Sequence, residues 1–391
     1  MKLFKYFFLF LVVSFYANLL AELTYQQFCD HCLNLYDPVE SVGDKNKKVY
    51  SFLDAQEFVD VMNKASNLFN NGLFTVASIV TKAPQCSIFI GDIHGDIHSL
   101  INILDALVAT NFIIISDDYE IFATNGMSVN LFFTGDFCDR GLYSETVVYL
   151  LAKLKIANPY NVFLTRGNHD DTWSINSPDD CEQYNLIFRN VNTNLNVLIP
   201  DAWIALRKFI FNLPLAVFFG VENAKGFVNF ICASHSAFCD MPELKNFLEQ
   251  SVQQKNEIKF FRIPEKYQYV RYGINLHNIV PDFNWGYIDG FYPIKDSLVM
   301  DKDVLLKSIV NLKSKNFALK AIFRGHQHYN VFAKDIWLYG AHRINTQNNN
   351  IGMVNTITLS SGRFRSNSCV VVNMTDDFEN WCCATVRYSF N

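Results

Sequence analysis

Apolar and polar positions change rhythm once along this chain. In SFLDAQEFVDVMNKASNLF, residues 51–69, apolar side chains recur three and four positions apart, and Asn70, Asn71 and Gly72 end the run. That spacing predicts an amphipathic helix, and residues 22–84 as a whole read as a helical N-terminal extension. From Cys86 onward the apolar stretches shorten to strand length: CSIFIGD, VNLFFTGD, NVFLTRGNHD, FVNFICASH and LKAIFRGHQH. Each stops at Gly, Asp, Asn or His and gives way to a helical pattern, the alternation of a layered α/β domain. Between His235 and Arg324 the chain turns rich in Tyr, Lys and Asp, with helical pieces near Glu243–Lys255 and Asp301–Lys315. We therefore expect a main domain over 85–391 carrying an insertion or lid around 240–318. The closing runs NTITLSS, SCVVVNM and CCATVRYS read as strands completing a second sheet.

The first 21 residues have a different character. Two lysines in MKLFK precede an uncharged run from Tyr6 to Ala21, the layout of a secretory signal peptide. Its length falls short of the ~20 residues that span a bilayer as a helix, yet a small residue is lacking at Leu19. A cleaved leader and an uncleaved N-terminal anchor both fit, and both place the body of the protein outside the producing cytoplasm, secreted or periplasmic.

Composition narrows the classes. With 50% hydrophobic and 18% charged residues the chain folds. Its 38 acidic against 33 basic residues give a net charge of -5, no footprint for nucleic acid. Ten cysteines are too scattered for a disulfide scaffold. The CDHC run from Cys29 to Cys32 has the spacing of redox and zinc sites but lacks a second CxxC, which favours a local disulfide or two plain thiols.

The chemistry lies at the strand ends, where open α/β sheets bind ligands. Together they present Asp92, His94, Asp136, Asn168, His235, His326 and His328, and five of the nine histidines sit just past apolar strands. Carboxylate oxygen and imidazole nitrogen suit manganese, iron or zinc, and no thiolate joins the set. These are the ligands of a site for two divalent cations.

GDIHG (Gly91–Gly95), GDFCDRG (Gly135–Gly141) and RGNHD (Arg166–Asp170), in this order, resemble the signature runs of the phosphoprotein phosphatase family within the calcineurin-like metallophosphoesterases. FICASHSAF and FRGHQH are similar to that family's later histidine motifs, and ITLSSGRF to its C-terminal strand. The resemblance implies a four-layer α/β sandwich, two mixed β-sheets flanked by helices. It implies that Asp92 and His94 bind one metal, Asp136 bridges two, and Asn168, His235 and His326 complete the second, with His328 an extra ligand of the first. Two cations about 3.5–4 Å apart share a water and lower its pKa toward neutrality. In the resemblance His169 is the general acid, oriented by Asp139, and Arg140 clamps the phosphate, with Asn168 and Arg166 as further phosphate contacts.

The implied reaction is hydrolysis of phosphomonoesters, of phosphoproteins first and small phosphomonoesters second. Two alternatives stand: a nucleotide or dinucleoside polyphosphate hydrolase, and a non-catalytic phosphate-binding or scaffold protein. The chain also departs from the family. Asp170 replaces the usual Glu, which would loosen its brace on an arginine; HSA at His235–Ala237 replaces HGG; and SSGRF brings Arg363 and Phe364 where groove-lining residues belong. A second phosphate-binding arginine has no motif, leaving Arg262, Arg271 and Arg343 in play.

Overall fold

A computed structural model describes residues 23–35, 53–69, 74–138, 140–170, 199–236, 241–264, 287–288, 299–300, 311–326, 341–344, 354–358 and 368–387. Two helices open it. In α1 (Tyr25–Leu33) Thr24 and Gln27 form a capping box, each side chain meeting the other's backbone amide. In α2 (Ala55–Ser66) the Asp54 carboxylate caps the amide of Glu57.

The expectation of an all-helical extension over 22–84 is corrected at its C-terminal end. There TVASIVTK forms strand β1 (Thr75–Lys82), in which every residue through Val80 is buried. Its β-branched residues favour extended backbone, and burial on both faces erases the alternation that marks a half-exposed strand. The helices, too, are integral: Phe28 stacks on Tyr149, whose hydroxyl donates to Glu57.

Along the chain come β2 (Gln85–Ile90), α3 (Ile97–Ala109), the hairpin of β3 (Ile113–Ile115) and β4 (Ile121–Ala123), β5 (Ser128–Phe133), α4 (Ser144–Ala157), β6 (Val162–Leu164) and α5 (Ile199–Asn212). Next are β7 (Ala216–Glu222), β8 (Val228–Ser234), α6 (Pro242–Gln253), β9 (Lys259–Arg262) and the short pair β10 (Tyr287–Ile288) and β11 (Val299–Met300). The chain closes with β12 (Phe317–Arg324), β13 (Ala341–Ile344), β14 (Val354–Thr358), β15 (Ser368–Met374) and β16 (Cys382–Arg387). All five strands expected at the chemical motifs are present. They divide between a seven-stranded sheet of order β13-β14-β12-β8-β7-β1-β9 and a five-stranded sheet of order β16-β15-β2-β5-β6. Both are mixed: β2, β5 and β6 run parallel while β15 opposes β2, and β8 lies parallel to β12 but antiparallel to β7.

Alternation along the strands builds the layers. Ile88, Ile90, Leu131, Phe133 and Leu164 face the helical side with α3, α4 and α5, whereas Phe89, Phe132 and Phe163 face the other sheet. There Phe89 stacks on Phe323 of β12 at a centroid distance of 3.7 Å, and Phe132 meets Phe163 at 4.8 Å and Phe219 at 5.4 Å. On the far side of the seven-stranded sheet, Val76, Phe218, Phe230 and Ile322 pack with Leu244 and Leu248 of α6. The result is helix, sheet, sheet, helix, the expected four-layer sandwich.

The insertion expected around 240–318 is corrected in part. Helix α6 and strand β9 belong to the domain body, β9 pairing antiparallel with β1 at the sheet edge. The helical piece expected over Asp301–Lys315 lies mostly outside the described residues, as does the leader over 1–21. Among the described residues no helix is long and apolar enough to cross a membrane. Cys29 and Cys32 are free, buried thiols on α1, and burial pushes Cys29 up to about 11 and Cys32 higher still. Of the readings open for CDHC, plain thiols fit.

Phe323→Ala would empty the contact between the sheets and should cost about 3–5 kcal/mol. A urea titration should show this as a lowered midpoint with an unchanged slope.

Candidate metal centre

The site sits where strand ends of the two sheets meet. β2 and β5 run parallel, so their loops leave side by side, and the backbone zips them: the amides of Ile93 and His94 donate to Asp136 O at 3.0 and 2.8 Å, and that of Gly95 to Phe137 O at 2.8 Å. From the other sheet, the Gly325 amide at the end of β12 donates to His235 O at the end of β8, at 3.1 Å.

The turns are tight enough to hold residues in the left-handed region. His94 (φ 52°), Asp136 (54°), Arg140 (64°) and His326 (72°) all adopt it, although only glycine does so without cost. Such strain persists where surrounding bonds over-determine the backbone, and it marks functional sites. Two glycines are required by close approach: a Cβ on Gly325 would stand 1.8 Å from Asp92 Oδ1, and one on Gly167 would stand 2.1 Å from Asp136 Oδ1.

Six of the expected ligands converge. Asp92, His94 and Asp136 offer ligand atoms all within 4.8 Å of one another, with His94 Nε2 3.6 Å from Asp136 Oδ2. Beside them His235 Nε2 stands 2.8 Å from Asn168 Oδ1, 3.1 Å from His326 Nδ1 and 3.3 Å from Asp136 Oδ2, and His326 Nδ1 is 2.9 Å from Asn168 Oδ1. All six residues are buried. Asp136 touches both groups, which is the place of a bridge.

These donors fit divalent cations. His235 Nδ1 lies 2.9 Å from the Thr134 carbonyl, which can only accept, so that nitrogen carries a proton and Nε2 faces the cluster. Such a carbonyl partner is the usual way a ligating histidine is oriented. With ligand bonds of about 2.0–2.2 Å, neighbouring ligand atoms around one cation stand about 3 Å apart, the spacing seen among Asn168, His235, His326 and Asp136, while His94 Nε2 stands 3.6 and 3.9 Å from the Asp136 and Asp92 carboxylates. Asp92 Oδ1 and Oδ2 are held by the His326 amide at 3.2 and 3.1 Å.

Electrostatics point the same way. Burial lowers His94 to about 4 against the pull of Asp136, leaving its ring neutral, the state a ligand needs. Burial raises Asp92 well above the carboxylate range, and the Asp136 charge adds to the rise. Burial alone would lower His235, but Asp136 and Asp92 outweigh it and hold the ring up at about 9. At neutral pH a proton on His235 Nε2 thus occupies the place a cation would take.

At the rim, Arg140 and His169 are half-buried partners: Arg140 Nη2 donates to His169 Nε2 at 2.7 Å. The His169 amide donates to Asp136 Oδ1 at 3.0 Å, and its ring meets that of His94 edge-on at 4.9 Å. Asp139 and His328 lie outside the described residues.

Arg166 is a correction. Its guanidinium is buried, donates to Phe211 O at 3.3 Å and lies over the rings of Phe74 and Phe211, so it ties α5 to the sheet, a structural task that the expected phosphate contact did not include. Arg262 stands exposed on edge strand β9, with β1 and β7 between it and β8, and Arg343 sits on β13 at the opposite sheet edge. Arg271, Arg363 and Phe364 lie outside the described residues.

Asp170 is a second correction, for its carboxylate binds backbone where an arginine brace is expected. It accepts from the amides of Asp136, Phe137, Cys138 and Gly167 at 2.9, 2.9, 3.1 and 2.9 Å. The signal for this in the sequence is an acid placed within a glycine-rich turn, where backbone amides lack regular partners.

A double-sheet α/β body that gathers carboxylates, imidazoles and an amide oxygen at adjoining strand ends defines a divalent-metal site. The chain belongs to the calcineurin-like phosphoesterase family, whose model matches residues 88–330, more than half its length. Over 83 residues it is 39% identical to the serine/threonine-protein phosphatase PP2A-like PPG1 of Candida albicans, covering 21% of this chain and 16% of that protein. Over 121 residues it is 34% identical to the serine/threonine-protein phosphatase BSL2 of Arabidopsis thaliana, covering 30% of this chain and 10% of that protein. The chain thus spans under a fifth of the length of these curated relatives. Among solved structures it aligns with a protein serine/threonine phosphatase from Saccharomyces cerevisiae described as similar to human phosphatase PP5. That alignment covers 87% of this chain and 92% of the other at 19% identity and a TM-score of 0.49.

Because cation binding must displace the protons that His235 and Asp92 hold, affinity for manganese should rise at least about tenfold per pH unit between roughly 6 and 8, below the raised histidine value. Calorimetric titrations in buffers of different ionisation enthalpy should show net proton release, and His235→Ala should reduce it.

Proposed function

We propose that this protein is a metal-dependent phosphomonoesterase acting on phosphoproteins. The observation that carries the reading is the convergence of His235, His326, Asn168 and Asp136 beside Asp92 and His94, with Arg140 and His169 paired at its rim. The relatives with matching segments are named serine/threonine phosphatases, which supports phosphoserine and phosphothreonine as the groups removed.

Two divalent cations held by these residues would lower the pKa of a water and neutralise phosphoryl charge during in-line attack. Manganese, iron and zinc all suit the donor set. The protein's own part begins at the rim. A guanidinium prefers a phosphate, which it can meet with two parallel hydrogen bonds, over a neutral imidazole nitrogen. Substrate therefore draws Arg140 away from His169 Nε2. That nitrogen, no longer occupied by the Arg140 donor, can hold a proton and pass it to the leaving alkoxide oxygen. The His169 amide bond to Asp136 keeps the ring beside the centre while Arg140 moves.

Export completes the reading. The basic start and uncharged run over residues 6–21 support a secreted or periplasmic protein, cleaved or anchored. Its phosphoprotein would then be met outside the producing cytoplasm.

The test strips the protein with chelator, reloads it with manganese and measures phosphate release from phosphoserine, phosphothreonine and phosphotyrosine peptides and from nucleotides. Turnover should require metal, favour phosphoserine and phosphothreonine peptides, fall about 10²–10⁴-fold in His169→Ala, and vanish in Asp92→Asn. Preference for nucleotides would establish the nucleotide hydrolase instead, and bound metal without turnover the scaffold.

A further inference from the structure

We propose that Asp170 is a positioning residue that sets the spacing between the two cation sites by fastening the turn carrying Asp136 to the turn carrying Asn168. Its metal-binding arm rests on the geometry alone, and its kinetic arm rests on the proposed phosphatase reading.

Asp170 is 2% exposed, and the hydrogen bonds of its carboxylate go to backbone amides. The division of labour between its two oxygens is specific. Oδ1 takes the amides of Phe137 and Cys138, both in the loop after β5. Oδ2 takes the amides of Asp136 and Gly167, one from each turn. That second oxygen is a clamp between the bridging ligand and the residue just before Asn168.

The clamp holds something that would otherwise relax. Asp136 is in the left-handed region at φ 54°, and Gly167 packs so closely that its missing Cβ would stand 2.2 Å from the Asp136 amide nitrogen. Hydrogen bonds to an ionised acceptor are about twice as strong as neutral ones, so four amides on one buried carboxylate can keep this contact closed. Asp136 Oδ1 meanwhile accepts from the His169 amide at 3.0 Å, so the same turn-to-turn distance also places the rim histidine.

Asp170→Asn is close to isosteric yet leaves one acceptor oxygen and one amino group. Whichever way the amide is turned, one pair of backbone donors then faces N–H instead of oxygen. Asp170→Glu keeps the charge and both acceptors. Each variant of the full-length chain is checked for folding by a circular-dichroism melt and titrated with manganese, followed by electron paramagnetic resonance. The wild-type chain should take up two ions with a spin-coupled spectrum. Asp170→Asn should bind manganese about 10–100-fold more weakly, as other partners of metal ligands do, and show an uncoupled spectrum, while Asp170→Glu retains the coupled pair. Loaded to saturation, the Asn variant should lose kcat with KM nearly unchanged.

A folded Asp170→Asn with unchanged affinity and coupling overturns the proposal, as does equal loss in both folded variants. If the Asn variant does not fold, Asp170→Glu decides alone, a coupled pair supporting the clamp and an uncoupled one overturning it. Coupling lost as expected, with no turnover in any form including wild type, would sustain the clamp and sink the phosphatase reading. A wild-type chain that binds no coupled pair sinks both.

Discussion

Asp92 and Asp136 are carboxylates sealed from water a few ångströms from each other, and such a pair demands positive charge close by. Much of the centre answers that demand. Without metal, the answer is protons: one on His235, which the neighbouring acids favour against the cost of burial, and one on Asp92, whose hold on it burial raises. With cations bound, the same oxygens and the His235, His326 and Asn168 atoms would share the charge among them. The centre can therefore balance its charge in two ways, by protons or by cations, and the one would displace the other.

Backbone rather than side-chain packing fixes where these groups point. The loops after β2 and β5 are zipped by amide-to-carbonyl bonds, Asp92 accepts from the His326 amide at the end of β12, and His235 leans on the Thr134 carbonyl. Ligands from both sheets are thus tied across the gap between them. Behind this gap the phenylalanine layer of Phe89, Phe132, Phe163, Phe219 and Phe323 keeps the sheets at a set distance. A rigid core and a strained rim divide the work: the core holds the strands, and four residues of positive φ aim the chemistry.

What could be read from the sequence depends on how local each signal is. Strand ends such as CSIFIGD carry their own stop signals and their own ligands, so the six core ligands and the sandwich are legible in short runs. β1 is not, because TVASIVTK is buried on both faces and its partner β7 lies some 140 residues further along the chain. Arg166 reads as a phosphate ligand because its charge is visible in the sequence and its cradle of Phe74 and Phe211 is not. Asp170 reads as the partner of an arginine, since its one local mark, an acid in a turn with glycine, does not say which backbone amides it meets.

In the proposed centre one bridging carboxylate would join two cation sites drawn from two sheets. Anomalous X-ray diffraction from crystals of the manganese-loaded protein, recorded at the manganese edge, addresses it directly. Two peaks sharing Asp136 are expected, one with Asp92 and His94 and the other with Asn168, His235 and His326. A single peak, or a pair in which Asp136 contacts only one ion, would contradict that arrangement.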